Sequence, residues 1–166
     1  MLTALDAPES TFNNYERNFV AKIREYGWFR TSVFADGDEP AFSYTTGFWV
    51  TLGRPEIVVF DLPLETAHSV LWDLFNEAKA GRDLPLRTRV PDIFGRLDAC
   101  FLSVDRTEYQ GRLLSSLWFY RGDSFPCLQL VWPDRDNLFP WEPGFDPQLI
   151  GRQHDLADGG WGALQV

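Results

Sequence analysis

No apolar run in this chain approaches the length of a membrane span. The N-terminal stretch "MLTALDAPESTFNN" has neither a basic n-region nor an apolar h-region, so no secretory signal is expected. Cysteine is scarce. Cys100 and Cys127 stand far apart, each inside an apolar, strand-like run, and read as buried free thiols of a reducing, cytoplasmic setting. Histidine is equally scarce: His68 and His154 have no second His or Cys at metal-ligand spacing, so neither a metal nor a cofactor is expected. There is no G-x-S-x-G elbow, no Walker lysine loop, no G-x-G-x-x-G after a strand and no C-x-x-C. Basic residues are outnumbered, 15 against 24 acidic, for a net charge of -9. A phosphate backbone is repelled on average, and Arg82, Arg87, Arg89 and Arg96 are spread as a solvated strand face would be. Nucleic acid and membrane surfaces are not expected partners.

What is present is an ordinary globular composition, 45% apolar and 23% charged over 166 residues. That is the size of one domain, 1–166, able to bury a core without metal or disulfide. Aromatics reach 16%, with seven Trp. The surplus serves a large core, a ligand pocket or a subunit interface. A homodimer is expected to bury part of it, together with Leu149, Ile150 and Trp161 of a tail that has little core of its own to join.

Phe12, Tyr15, Phe19, Ile23 and Tyr26 are spaced by threes and fours, which predicts a helix over 12–26 with Ser10 or Thr11 as its cap and Gly27 as its stop. "WFRTSVF" reads as a strand, and "AFSYTTGF" as a second with Phe42, Tyr44, Thr46 and Phe48 on one face. "EIVVF" suits a central strand. "PLETAHSVLWDLFNEAKAG" is the clearest helix, burying Leu64, Ala67, Leu71, Leu74, Phe75 and Ala78. "LRTRVPDIF" is a weak strand broken by Pro91, and "LDACFLSV" a better one. A helix over 107–120, weakened by Gly111, precedes the strand "CLQLVW". The order α-β-β-β-α-β-β-α-β predicts an α+β fold: a largely antiparallel sheet with two to three packed helices.

"YGWFRTSVF", "FSYTTGF", "GRPEIVVF" and above all "FPCLQLVWPDRDNLFPWEPGF" resemble a bacterial family known as domain of unknown function 4262. Its signature is a Tyr-Thr-x-Gly strand end, a Gly-His-Pro-Glu turn and a late Gln-Leu-Val-Trp-Pro-Asp segment. The resemblance spans residues 26–143 and implies a family-like core of about 12–143, followed by a polar, Gly-rich tail, 144–166. It implies no activity. Arg54 stands where the family commonly has His, and Arg is neither a base near neutral pH nor an ordinary metal ligand. Either the turn is not catalytic in the family, or this chain has lost the reaction.

Thr45, Thr46 and Gly47 end one strand while Arg54, Pro55 and Glu56 begin the next, so a short connection places them side by side. They read as a cradle for an anion or carboxylate, or as a turn in which Glu56 and Arg54 satisfy backbone groups. His68 shares a helix face with Trp72, as a general base or as a half-buried structural residue. In "QLVWPDRDNLFPWEPGF", Trp132 points into the core, Pro133 stops the strand, and Asp134 and Asp136 cap the turn. The stretch is a stiff lid, or an aromatic wall with Asp134, Arg135 and Trp141 at the mouth of a site. Two functions follow: a non-catalytic ligand-binding or interaction module, or a small hydrolase-like enzyme built on Tyr44, Thr45, Glu56 and His68.

Overall fold

Asn13, not Ser10 or Thr11, caps the first helix, α1 (Asn14–Tyr26). Its side chain accepts the Glu16 N–H at 2.9 Å, and the Glu16 carboxylate accepts the Asn13 N–H at 2.8 Å, a reciprocal capping box. Ser10 and Thr11 fall instead in a short 3-10 turn, Glu9–Thr11. Gly27, left-handed at φ 87°, closes the helix with its N–H on the Ile23 carbonyl. Phe12, Phe19 and Ile23 of the expected stripe are buried, whereas Tyr15 and Tyr26 remain exposed.

The computed structural model describes residues 1–164. Over them six strands form one sheet: β1 (Phe29–Val33), β2 (Phe42–Thr46), β3 (Glu56–Phe60), β4 (Arg89–Phe94), β5 (Leu97–Ser103) and β6 (Cys127–Val131). Their spatial order is β1-β2-β3-β6-β5-β4, antiparallel at every junction except β3 with β6, which is parallel. β3 and β6 are buried at every position, as central strands covered on both faces must be. Pro91 sits in the outermost strand, β4, where the register shifts between Val90 and Phe94. An edge is where a residue without an N–H is tolerated.

Two connections differ from expectation. The strand read through Phe48 ends at Thr46, because Gly47 turns the chain at φ 121° into a five-residue helix, α2 (Phe48–Leu52). The helix read over 107–120 is broken at Leu113 (φ −103°, ψ 43°) into α4 (Tyr109–Arg112) and α5 (Leu114–Tyr120). α3 (Leu64–Lys79) lies between α2 and α4 in sequence.

The sheet is covered on both faces. Phe42, Tyr44, Val58, Phe60 and Cys127 pack with Phe19, Val20 and Ile23 of α1 and with Phe119 and Tyr120 of α5. The opposite side chains, Ile57, Val59, Leu128, Leu130 and Phe101, meet Ala67, Leu71, Leu74 and Phe75 of α3. Fully burying one such aliphatic or aromatic side chain contributes about 1.5–3 kcal/mol. Leu64 and Ala78 were expected in that stripe, but Leu64 is 48% exposed and Ala78 only half-buried.

The tail also departs from expectation, although Gln165 and Val166 of the 144–166 segment lie outside the described residues. Leu156 and Ala157 are buried; Ala157 pairs with Val104, and the Leu156 carbonyl accepts the Asp105 N–H at 2.8 Å. Trp161 approaches Trp141 at 5.7 Å over a third cluster of Cys100, Leu102, Val131 and Phe139. Of the tail residues expected at a dimer interface, Trp161 thus joins a core of its own chain, whereas Leu149 is half-buried and Ile150 stays exposed.

Candidate functional site

Thr45 and Glu56, eleven positions apart, meet as the short connection between β2 and β3 requires. Glu56 is 1% exposed, and five donors converge on its carboxylate. The Thr45 hydroxyl lies at 2.6 Å, the N–H groups of Gly47, Phe48 and Trp49 at 2.9, 3.3 and 3.1 Å, and the Tyr120 hydroxyl donates from α5. The three N–H groups open α2, whose unpaired donors attract a negative charge. The hydroxyl oxygens are themselves occupied: Thr45 accepts the Ile57 N–H at 2.9 Å, and Tyr120 accepts from Gly47 and Val50. Burial pushes the Glu56 carboxyl up, opposed by the Thr45 and Tyr120 hydroxyls and by the Trp49 and Gly47 N–H groups. Burial, with the Glu56 charge beside it, also raises the Tyr120 hydroxyl. Thr46 completes the node through a 2.6 Å bond to Ser116, which donates to the Thr45 carbonyl.

Gly47 makes this geometry possible. A Cβ there would lie 2.4 Å from the Gly27 carbonyl oxygen and 2.7 Å from the Trp28 Cα, both backbone atoms. The node thus seats the backbone of Trp28, and Trp28 is the floor of an open groove between β1 and α3.

His68 stacks on Trp28 at 5.6 Å and 18°, while Phe48 and Phe75 support the indole from the core. Trp72, one turn along α3, lies 6.4 Å from Trp28 and is 42% exposed. Arg30 reaches across from β1 to the Leu64 carbonyl at 2.7 Å. Lys22 and Tyr26 of α1 line one end, a space of about 500 Å³, and Leu64, Glu65 and Ser69 the other, about 680 Å³. Arg30, His68 and Trp72 line both. Trp28 Nε1 and Arg30 Nε are buried without a hydrogen-bond partner among the described residues.

The remaining expected site residues lie elsewhere. Tyr44 is buried, its hydroxyl accepting the Ser115 N–H at 3.0 Å. Arg54 pairs with Asp83 rather than Glu56. His68 has no hydrogen-bond partner among the described residues and stands outside the Glu56 node. In the late aromatic stretch, Trp132 is half-buried with its indole N–H on the Phe60 carbonyl at 2.8 Å. Asp134 accepts the N–H groups of Asp136, Leu138 and Asp146, each at 2.9 Å. Burial alone would raise its carboxyl, but the Leu138, Asp146 and Asp136 N–H groups hold it below the ordinary value. Trp141 stacks on Phe139 at 5.0 Å and 12°. Arg89 pins the stretch, binding Glu142 at 2.6 and 2.7 Å and lying 4.8 Å from the Phe139 ring centre. Arg135 and Asp136 are exposed, and Asp136 is capped by Asp134 instead of capping the turn itself.

The residues that sequence reasoning missed are Trp28, Arg30, Trp72 and Tyr120. Only the His68–Trp72 spacing signalled any of them. Burial also pushes both thiols up, Cys100 to about 11 and Cys127 well above its ordinary value, which leaves neither as a ready nucleophile.

A family model described as Domain of unknown function (DUF4262) matches residues 22–146. The chain belongs to this family. No curated protein matches it, and no solved structure does. In this DUF4262 domain the matched segment holds Glu56 with its five donors and the whole groove from Lys22 to Trp72, and stops before Ala157, Trp161 and Leu164, which close the third cluster. No helix among the described residues is long and apolar enough to cross a membrane.

Proposed function

We propose that this DUF4262 domain is a non-catalytic binding module, and that the groove between β1 and α3 takes an extended segment of a protein partner. The observation that carries the reading is the surface of His68 and Trp72, laid over the buried indole of Trp28 beside β1, a strand that among the described residues is hydrogen-bonded to the sheet on one side only. A free strand edge supplies backbone donors and acceptors, and a neighbouring aromatic groove supplies side-chain selectivity. Exposed Tyr26, Leu64 and Trp72 border the same surface, and exposed aromatic patches mark contact sites.

The non-catalytic part rests on the Glu56 node. Its carboxylate and the Tyr120 hydroxyl are buried and spent on each other and on the backbone of α2, where no substrate reaches them. The two free, buried thiols support a reducing compartment, the cytoplasm, and the net charge of -9 disfavours nucleic acid. A second copy of the chain docking through β1 is the homodimeric form of the same reading.

Selection from a random peptide display library tests it, with Trp72→Ala as the counter-target. Selected sequences should bind the wild type and lose about tenfold or more on Trp72→Ala, the scale of one lost aromatic anchor. Ligands indifferent to Trp72 and Arg30 would remove the groove from the reading. A mass of twice 19.1 kDa in light scattering, abolished by the same substitution, would identify the partner as a second copy.

A further inference from the structure

A second cavity lies at the other end of α3, away from the groove. It is a half-open space of about 300 Å³ beside the segment that follows the helix. Buried Phe48, Ile57, Leu74 and Leu128 line it from the core, together with half-buried Leu84 and exposed Leu86 of that segment. The segment is fixed at both ends: the Arg82 N–H bonds the Glu77 carbonyl at 2.9 Å, and the Arg87 N–H bonds the Phe101 carbonyl at 3.0 Å. Between those points it is tied to the opposite rim by the ion pair of Asp83 with Arg54.

The charge at the mouth is the informative part. Arg54 is held in place from both sides, by Gly53 at the left-handed end of α2 and by Glu56 in its ring of donors. Its guanidinium sits at the lip of an apolar space, and its partner Asp83 has a side chain 81% exposed. Such an exposed pair contributes at most about 1 kcal/mol, so another carboxylate displaces Asp83 at little cost. A carboxylate whose apolar body also leaves water gains what the Asp83 side chain cannot. The guanidinium fork suits a carboxylate in two-point contact. A space of about 300 Å³ is at the small end of ligand pockets and suits a short apolar body.

We propose that this cavity is a binding site for a small amphipathic carboxylic acid, its apolar body among Leu74, Leu84, Leu86 and Leu128 and its carboxylate on Arg54 in place of Asp83. The site is independent of the groove and does not require the peptide reading.

Calorimetric titration with octanoate, and with 1-octanol as the uncharged control, tests it on the full chain. Octanoate should bind more tightly than octanol. Arg54→Gln should weaken octanoate by about tenfold, the loss of one charged two-point contact, and leave octanol unchanged. Asp83→Asn should tighten octanoate several-fold by removing the competing carboxylate, an effect that loss of folding cannot mimic. Ala78→Phe, which fills the helical side of the cavity, should abolish both. Equal affinity for octanoate and octanol would overturn the proposal, as would octanoate binding unmoved by Arg54→Gln and Asp83→Asn. Loss of octanoate on Trp72→Ala would place it in the groove and overturn it too.

Discussion

Gln153 pairs with the backbone of Trp132 as a neighbouring strand would. Its side-chain oxygen accepts the Trp132 N–H at 3.0 Å, and its amide donates to the Trp132 carbonyl at 2.9 Å. Gln129, three residues earlier in β6, returns the arrangement: its amide donates to the His154 carbonyl at 2.6 Å and its oxygen accepts the Leu156 N–H at 3.1 Å. Two primary amides thus splice the tail to the sheet. Gln153→Ala leaves two Trp132 backbone groups unpaired in a largely dry environment and should cost roughly 2–4 kcal/mol. Deletion of residues 147–166 should cost more, because it also uncovers the third hydrophobic cluster. Urea denaturation measures both, and a truncated chain with the wild-type midpoint would show that the tail adds nothing.

The late aromatic stretch should behave as a lid, with a definite ranking of stabilities. Trp132→Ala opens a cavity beside Leu128 and Leu130 and strands the Phe60 carbonyl, at about 3–5 kcal/mol. Trp141→Ala loses a stacked ring at the margin, at about 1–3 kcal/mol. Asp134→Ala frees three backbone donors and should cost about 2–3 kcal/mol, more than a single turn cap. Wild-type midpoints for both Trp variants would refute the lid.

Asp134 also sets a pH dependence. Its folded carboxyl is held below the ordinary value, so the stability it contributes is fully present above the unfolded value, about 3.9. That contribution shrinks as pH falls through this value and is gone below the folded one. The difference in unfolding free energy between wild type and Asp134→Asn should stay flat from about pH 7 to 5 and narrow below about pH 4. A difference that widens on acidification would reverse the assignment.

The Glu56 node should tolerate no acceptor loss. Glu56→Gln places an amide NH2 against N–H groups that can only donate, so it should be as damaging as Glu56→Ala, at roughly 3–5 kcal/mol. Tyr120→Phe should cost about 2–3 kcal/mol and, combined with Glu56→Gln, less than the sum, because the two share one network. Additive free energies in that double-mutant cycle would show the residues to be uncoupled.

Much of this molecule was legible in the chain because alternation and β-branching mark strands locally. The α+β class, the largely antiparallel sheet and the meeting of Thr45 with Glu56 all follow from such local signals. α2 did not, because five residues are too few for a helical period and only the φ of Gly47 separates them from the strand. The groove was invisible for a different reason. Trp28, Arg30 and Trp72 come from a linker, a strand and a helix, and no spacing in sequence encodes their meeting. Nor did any pattern announce Tyr120 as the partner of a glutamate 64 positions earlier. The tail read as polar because its anchoring is done by amides and backbone rather than by apolar periodicity.

The parallel junction of β3 with β6 carries a consequence for how the chain assembles. On one side of it, β1, β2 and β3 form an antiparallel meander from the N-terminal half; on the other, β4, β5 and β6 form a second from the C-terminal half. Each meander closes through contacts near in sequence, whereas the junction joins residues such as Ile57 and Leu128 that are distant. Loop closure over that distance is slow, so the two meanders should form early and the seam between them last. The Glu56–Tyr120 bond spans the same two halves, which makes the buried carboxylate a latch that engages only when the seam has zipped.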